Sequence, residues 1–257
     1  MNKNLTKTFI IVASHKPYKL ITKDCIYNLI ELNAINNINH FSDLRDDLGN
    51  ENISNKNYCY CELTALYWAW KNVDYNIIGL CHYRRYFTLH NYLIFCSKKN
   101  VLTEKNIIRI LNKYDFILPK RTKMKETNYE HSIHYYNDHH MDITRDVIAE
   151  YYPEYLEAFD EVMNRKDGHF FNMLIAKKNI ADKYFEWLFD VLFKVEKKYK
   201  FICKDKRSVR VFGYIAENLI DVYILKNKMS FKEKNILYLE RENIFLRIKN
   251  KFVNRDE

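Results

Sequence analysis

A chain of 257 residues, 47% of them hydrophobic, holds enough apolar material for one sizeable core, since single cores stop growing near roughly 250–300 residues. Its net charge of +9 suits an anionic partner, but basic and acidic residues are interspersed, and neither a zinc finger nor an aromatic RNA-binding signature is present. Nucleic acid is therefore not expected as a ligand. With no run of about 18 apolar residues and no signal-peptide core, a cytoplasmic protein is expected.

The elements alternate along the chain. Residues 8–14 read as a buried strand that ends at Ser14-His15-Lys16-Pro17, where proline stops regular pairing. Residues 59–71 read as a helix with apolar side chains on two stripes, Cys59, Leu63, Leu66 and Trp70 on one and Tyr60 and Tyr67 on the other, and so as a largely buried one. A strand over 77–81 follows, then a helix over 103–113 capped by Thr103, then a strand over 115–118 closed by Pro119. Residues 142–165 read as helix with a break near Pro153, residues 170–176 as another buried strand, and residues 179–199 and 208–226 as long amphipathic helices. This alternation predicts an α/β fold, a mostly parallel sheet flanked by helices, as one domain over residues 1–226. The basic, amphipathic tail over 227–257 is expected to form a helical extension, either packed with one solvated face or resting on the inner face of the cytoplasmic membrane.

Composition narrows the chemistry. Six cysteines without a Cys-x-x-Cys pair read as reduced thiols rather than a zinc or disulfide framework. Four glycines, Gly49, Gly79, Gly168 and Gly213, exclude both the dinucleotide-binding and the Walker A loops, which need closely spaced glycines to bring backbone amides to phosphate. No Asp-x-Asp pair is present to hold a divalent ion against a diphosphate. The apolar run Ile77-Ile78-Gly79-Leu80-Cys81 ends instead in His82-Tyr83-Arg84-Arg85-Tyr86-Phe87. In open α/β sheets ligands bind beyond the carboxyl ends of strands, and arginine forks suit phosphate there while tyrosine rings suit a base or sugar. Charge pairing of the arginines at a domain rim is the alternative.

Several motifs together carry a resemblance. Asp46-Asp47-Leu48-Gly49, Tyr60-Cys61-Glu62-Leu63-Thr64-Ala65-Leu66-Tyr67-Trp68-Ala69-Trp70, the segment from Gly79 to Phe87, Phe171-Asn172-Met173 and the segment from Arg210 to Glu217 resemble the bacterial capsule and lipopolysaccharide glycosyltransferase family labelled domain of unknown function 4422. The resemblance spans about residues 8 to 226 and implies a GT-A-like fold. It also implies transfer of a sugar, galactofuranose in linked members, from a UDP-sugar donor to a glycan or lipid-linked glycan of a surface polysaccharide.

In GT-A-like folds the diphosphate site follows a central strand, the place held here by His82, Tyr83, Arg84 and Arg85. The leaving diphosphate is therefore expected to be stabilised by histidine and arginine, with no cofactor required and a divalent metal as the lesser alternative. His15 and Lys16 would flank the nucleotide. Asp46, Asp47 and Asn172 would meet ribose or sugar hydroxyls. Glu62 and Glu217 interrupt apolar helices and, with Arg210, are expected to orient the arginines. An inverting transfer needs an acceptor base, for which Asp142 is the first candidate and Asp138 the second, although the histidines and acids between Tyr129 and Asp142 could alternatively ligate a metal. The rival from another class is a noncatalytic basic module for RNA or anionic lipid.

Overall fold

The structure is a computed structural model that describes residues 7–22, 24–89, 100–136, 139–199 and 210–239. β1 (Thr8–Ser14) and β2 (Tyr27–Glu31) pair in parallel, and the chain then forms α1 (Asn57–Tyr60) and α2 (Leu63–Asn72) before returning as β3 (Ile77–His82), parallel to the other side of β1. A tight turn at Tyr83-Arg84 leads into β4 (Arg85–Phe87), with His82 paired to Arg85. α3 (Glu104–Leu111) starts at a reciprocal cap between Thr103 and Asn106, as the sequence leads one to expect. β5 (Phe116–Pro119), the short β6 (Thr122–Lys123), α4 (Asn128–Tyr136), α5 (His140–Tyr151), α6 (Leu156–Asn164) and the short β7 (Asp167–Gly168) follow. β8 (Leu174–Lys177) enters antiparallel between β3 and β5, and α7 (Lys178–Tyr199) and α8 (Val211–Lys226) cover the sheet. β9 (Phe231–Lys234) pairs in parallel with β5, and β10 (Ile236–Tyr238) pairs antiparallel with β4. The main sheet thus runs β2-β1-β3-β8-β5-β9, with β4 and β10 attached at the end of β3.

Side chains alternate across a strand, and the sheet buries both faces. Ile11, Ala13, Ile78, Leu80, Phe116, Leu118, Leu174 and Ala176 pack against residues of α2, α5, α6, α7 and α8. Their neighbours Ile10, Val12, Ile77, Cys81, Ile117 and Ile175 pack on the other face against Ile107, Ile110 and Leu111 of α3. Gly79 belongs to that second face, where a Cβ would lie 2.7 Å from Ile175 Cγ1 and 2.9 Å from Ile10 Cδ1, so the strands approach too closely there for any side chain. Continuing the alternation, His82 falls on the face of Ile78 and Leu80, toward α2 and α8, and Tyr83 on the other. Among the described residues no helix is long and apolar enough to cross a membrane.

Three sequence expectations change. The helix over 59–71 is broken, because Cys61 adopts a left-handed φ of 52°, with the Asn57 amide donating to the Cys61 carbonyl at 2.7 Å and to Thr64 Oγ1 at 2.9 Å. The strand over 170–176 begins only at Leu174, since Phe171 (φ 76°) and Asn172 (φ 52°) form a left-handed turn. The tail is not a helical extension where it is described: residues 231–238 are strands of the same sheet, with Ile236 and Leu237 buried against it. Helical periodicity could not reveal this, because the free edges of β5 and β4 supply the partners. The boundary expected at 226/227 therefore runs through one unit, and residues 240–257 lie outside the described residues.

Candidate functional site

A cavity of about 500 Å³ opens beyond the end of β3, walled by His82, Arg84 and Arg85 of the β3–β4 turn, Glu62 at the start of α2, and Arg210, Tyr214, Glu217 and Asn218 of α8. Asn128, His131 and Ser132 of α4, Thr122, Met124 and the rings of Phe170 and Phe171 complete the lining. The site thus joins a strand end, three helix starts and two turns.

The Phe171-Asn172 turn is its keystone. Nε2 of His82 lies 2.7 Å from the Phe171 carbonyl oxygen; a carbonyl only accepts, so Nε2 carries the hydrogen. Burial pushes this imidazole below the ordinary histidine range, against the opposing pull of Glu62, which leaves it neutral near pH 7. The Phe171 N–H donates to Glu217 Oε1 at 2.9 Å, and the Asn172 amide donates to Glu62 Oε1 at 2.8 Å and to the Gly213 carbonyl at 3.0 Å. Asparagine tolerates the left-handed conformation better than most residues, and these two long-range bonds hold it there. The break at Cys61 serves the same purpose, turning the chain so that Glu62, 6% exposed, meets that amide.

The charges are unevenly paired. Arg85 lies over the Phe171 ring at 4.4 Å and near the Tyr238 ring at 5.9 Å, its Nε buried without a hydrogen-bond partner, and it makes no ion pair among the described residues. Arg210 reaches Cys61 Sγ from Nε at 3.4 Å and lies over Tyr214 at 5.6 Å. Glu62 and Glu217 are therefore held by the turn rather than by hydrogen bonds to arginine. Burial, reinforced by the neighbouring charge of Glu62, pushes the Glu217 carboxyl up to about 8, with the Phe171 N–H and the Arg210 and Arg85 charges pulling the other way. A cationic fork with no ion pair among the described residues, beside a proton-holding carboxyl, can bind an anionic group and exchange a proton in one cavity.

The structure brings His82, Arg84, Arg85, Glu62, Arg210 and Glu217 together around this cavity, and it places the remaining candidates elsewhere. Tyr83 packs on the opposite face of the hairpin, its ring 5.3 Å from that of His15 and 5.0 Å from Lys16 Nζ, so these three form an adjoining cluster joined to the site by Arg84, 5.1 Å from the Tyr83 ring. Asp46 is 0% exposed and accepts from the backbone N–H groups of Asn33 and Ala34 and from the hydroxyls of Ser54 and Thr64, so its acceptor capacity is spent on the fold. Asp47 pairs with Arg45 at 3.0 Å outside the cavity lining. Asn172 lies outside the cavity lining, its amide hydrogens engaged by Glu62 Oε1 and the Gly213 carbonyl. Asp142 accepts from Tyr129 and bonds His139, each at 2.8 Å, outside the cavity lining, and Asp138 lies outside the described residues. Among the described residues no three His, Cys, Asp or Glu side chains gather as metal ligands.

Sequence reasoning passed over Tyr214 and Asn218 as site residues and offered His131 only within the alternative metal cluster. The spacing of Arg210, Tyr214 and Glu217 on one face of α8 was a usable signal.

A solved structure described as the apo form of the bifunctional glycosyltransferase WbbM superposes on the fold with a TM-score of 0.83, at 29% identity over 92% of this chain. The match covers 46% of that protein, so this chain spans less than half of its length. The GT-A-like α/β arrangement expected from the sequence is the fold found. No curated protein matches the sequence. Residues 9–228 match the family described as domain of unknown function DUF4422, and the chain belongs to that family.

Proposed function

We propose that this chain is a glycosyltransferase that moves a sugar from a UDP-sugar to a polysaccharide acceptor, with inversion at the anomeric carbon. Galactofuranose is the sugar to which the family resemblance points. The observation that carries the proposal is Arg85, a guanidinium with no ion pair among the described residues, at the carboxyl end of a central strand in a fold shared with a bifunctional glycosyltransferase. Departure of the diphosphate concentrates negative charge on its oxygens, and Arg84 and Arg85 are placed to stabilise that charge in a partly desolvated cavity. Neutral His82, its Nε2 hydrogen committed to Phe171, sets the position of the turn and adds no third cation. The Phe171 ring, 4.4 Å from the Arg85 guanidinium, buttresses a fork that is planar by itself and suits phosphate better than the point charge of a lysine.

The test is transfer from a panel of UDP-sugars by wild type, Arg84→Ala and Arg85→Ala, with and without EDTA. At least one of the two substitutions is expected to lower kcat/KM by about 2–4 kcal/mol in transition-state terms, with wild-type turnover surviving the chelator. Undiminished turnover in both variants would remove the leaving-group role. Loss in EDTA with rescue by manganese or magnesium would replace arginine by a metal as the main stabiliser.

A further inference from the structure

We infer that Glu217 is the catalytic base that takes the proton of the acceptor hydroxyl, an inference that rests on the sugar-transfer reading above.

Position comes first. Glu62 and Glu217 are the carboxylates that line the cavity among the described residues, whereas Asp142 is committed to Tyr129 and His139 outside that lining. Each of the two spends one oxygen on the Phe171-Asn172 turn, Glu217 on the Phe171 N–H and Glu62 on the Asn172 amide. The second oxygen of Glu217 has no hydrogen-bond partner among the described residues. One oxygen fixed and one open is the arrangement an oriented base requires. Glu62 is the more enclosed of the pair, and its neighbouring charge raises the proton affinity of Glu217. Glu217 stands on α8 and the arginines on the β3–β4 turn, so proton acceptance and leaving-group stabilisation come from different walls of one cavity.

The step balances within a single displacement. The acceptor oxygen forms its bond to the anomeric carbon, the bond from that carbon to the phosphate oxygen breaks with its electron pair leaving on the diphosphate, and the acceptor proton passes to Glu217. Among the described residues the charged and titratable groups that share the cavity with Glu217 are Glu62 before α2, His82 at the end of β3, Arg84 and Arg85 of the β3–β4 turn, Arg210 and Tyr214 at the start of α8 and His131 on α4. A carboxyl held up to about 8 by burial and Glu62 is a base matched to a mildly alkaline optimum.

The experiment compares wild type, Glu217→Gln and Glu217→Asp, using UDP binding by calorimetry and kcat and kcat/KM across pH 6–9.5 with a UDP-sugar that wild type turns over. Glutamine keeps the acceptor for the Phe171 N–H, so UDP affinity is expected to stay within about threefold while kcat falls by roughly 10²–10⁴-fold. In wild type kcat/KM is expected to rise with pH along a limb whose midpoint lies near pH 8 and to level off above it, and Glu217→Gln is expected to lose that limb. Glu217→Asp, which keeps a carboxylate on a shorter stem, is expected to retain the limb at reduced kcat and so remains informative should the glutamine variant not fold. A near-wild-type kcat in Glu217→Gln, or an aspartate variant without the limb, overturns the assignment and leaves sugar transfer standing. Absence of wild-type turnover with every nucleotide-sugar overturns both.

Discussion

At the scale of the residue, burial decides what each acid can do. The folded Glu217 carboxyl is pushed up to about 8, while in the unfolded chain it titrates in the ordinary glutamate range, so between those limits the folded state binds more protons. The stability this group contributes is therefore fully present below the ordinary glutamate range and is lost as pH rises through about 8. Glu217→Gln carries amide hydrogens at every pH and escapes this loss. Thermal melts of both proteins should show the variant gaining on wild type from pH 5 to pH 8.5, and a constant difference in Tm across that range would refute the elevated carboxyl. The same physics explains what the sequence could and could not convey. Glu217 interrupts an apolar helix, which marks it as a buried acid with a reason to be there. Asp142 sits in a segment rich in histidines and acids, but composition says nothing about which of them turns inward, and Tyr129 and His139 engage this one outside the cavity. Asp46 was legible as an acid in a loop, not as the acceptor that ties that loop to Ser54 and Thr64.

At the scale of the element, the legible pieces are those written in local pattern. β3 follows from a continuous apolar run, and α3 from its Thr103 cap. The kink at Cys61 and the turn at Phe171-Asn172 are not written that way, because neither carries glycine or proline at its left-handed position, and the second is held by partners distant in sequence. Asn172→Ala makes this dependence measurable. It removes two donors from buried acceptors, Glu62 Oε1 and the Gly213 carbonyl, and puts into a left-handed φ a residue less tolerant of it than asparagine. At about 1–3 kcal/mol for a buried group left unsatisfied, chemical denaturation is expected to show a loss of about 2–4 kcal/mol. A change below about 0.5 kcal/mol, the usual range for a surface substitution, would show that the turn does not depend on this amide.

At the scale of the whole molecule, the α/β class was legible because strands and helices alternate, and the carboxyl end of β3 was legible as a ligand site because such sheets leave a crevice there. The closing strands β9 and β10 were not legible, since runs of four and three residues become strands only when a sheet edge is offered to them. That closure bears on the site, because Tyr238 of β10 pairs with Arg85 and places its ring 5.9 Å from the guanidinium. The net charge of +9 spreads over the chain, yet Arg84, Arg85 and Arg210 gather around one cavity, and this concentration is the central claim's physical basis. A crystal structure of the chain with UDP tests it most directly. The expected result places the diphosphate in the cavity, with at least one phosphate oxygen at roughly 2.7–3.2 Å from a guanidinium nitrogen of Arg84 or Arg85. Nucleotide bound away from the β3–β4 turn, with both guanidinium groups out of contact with phosphate, would contradict it.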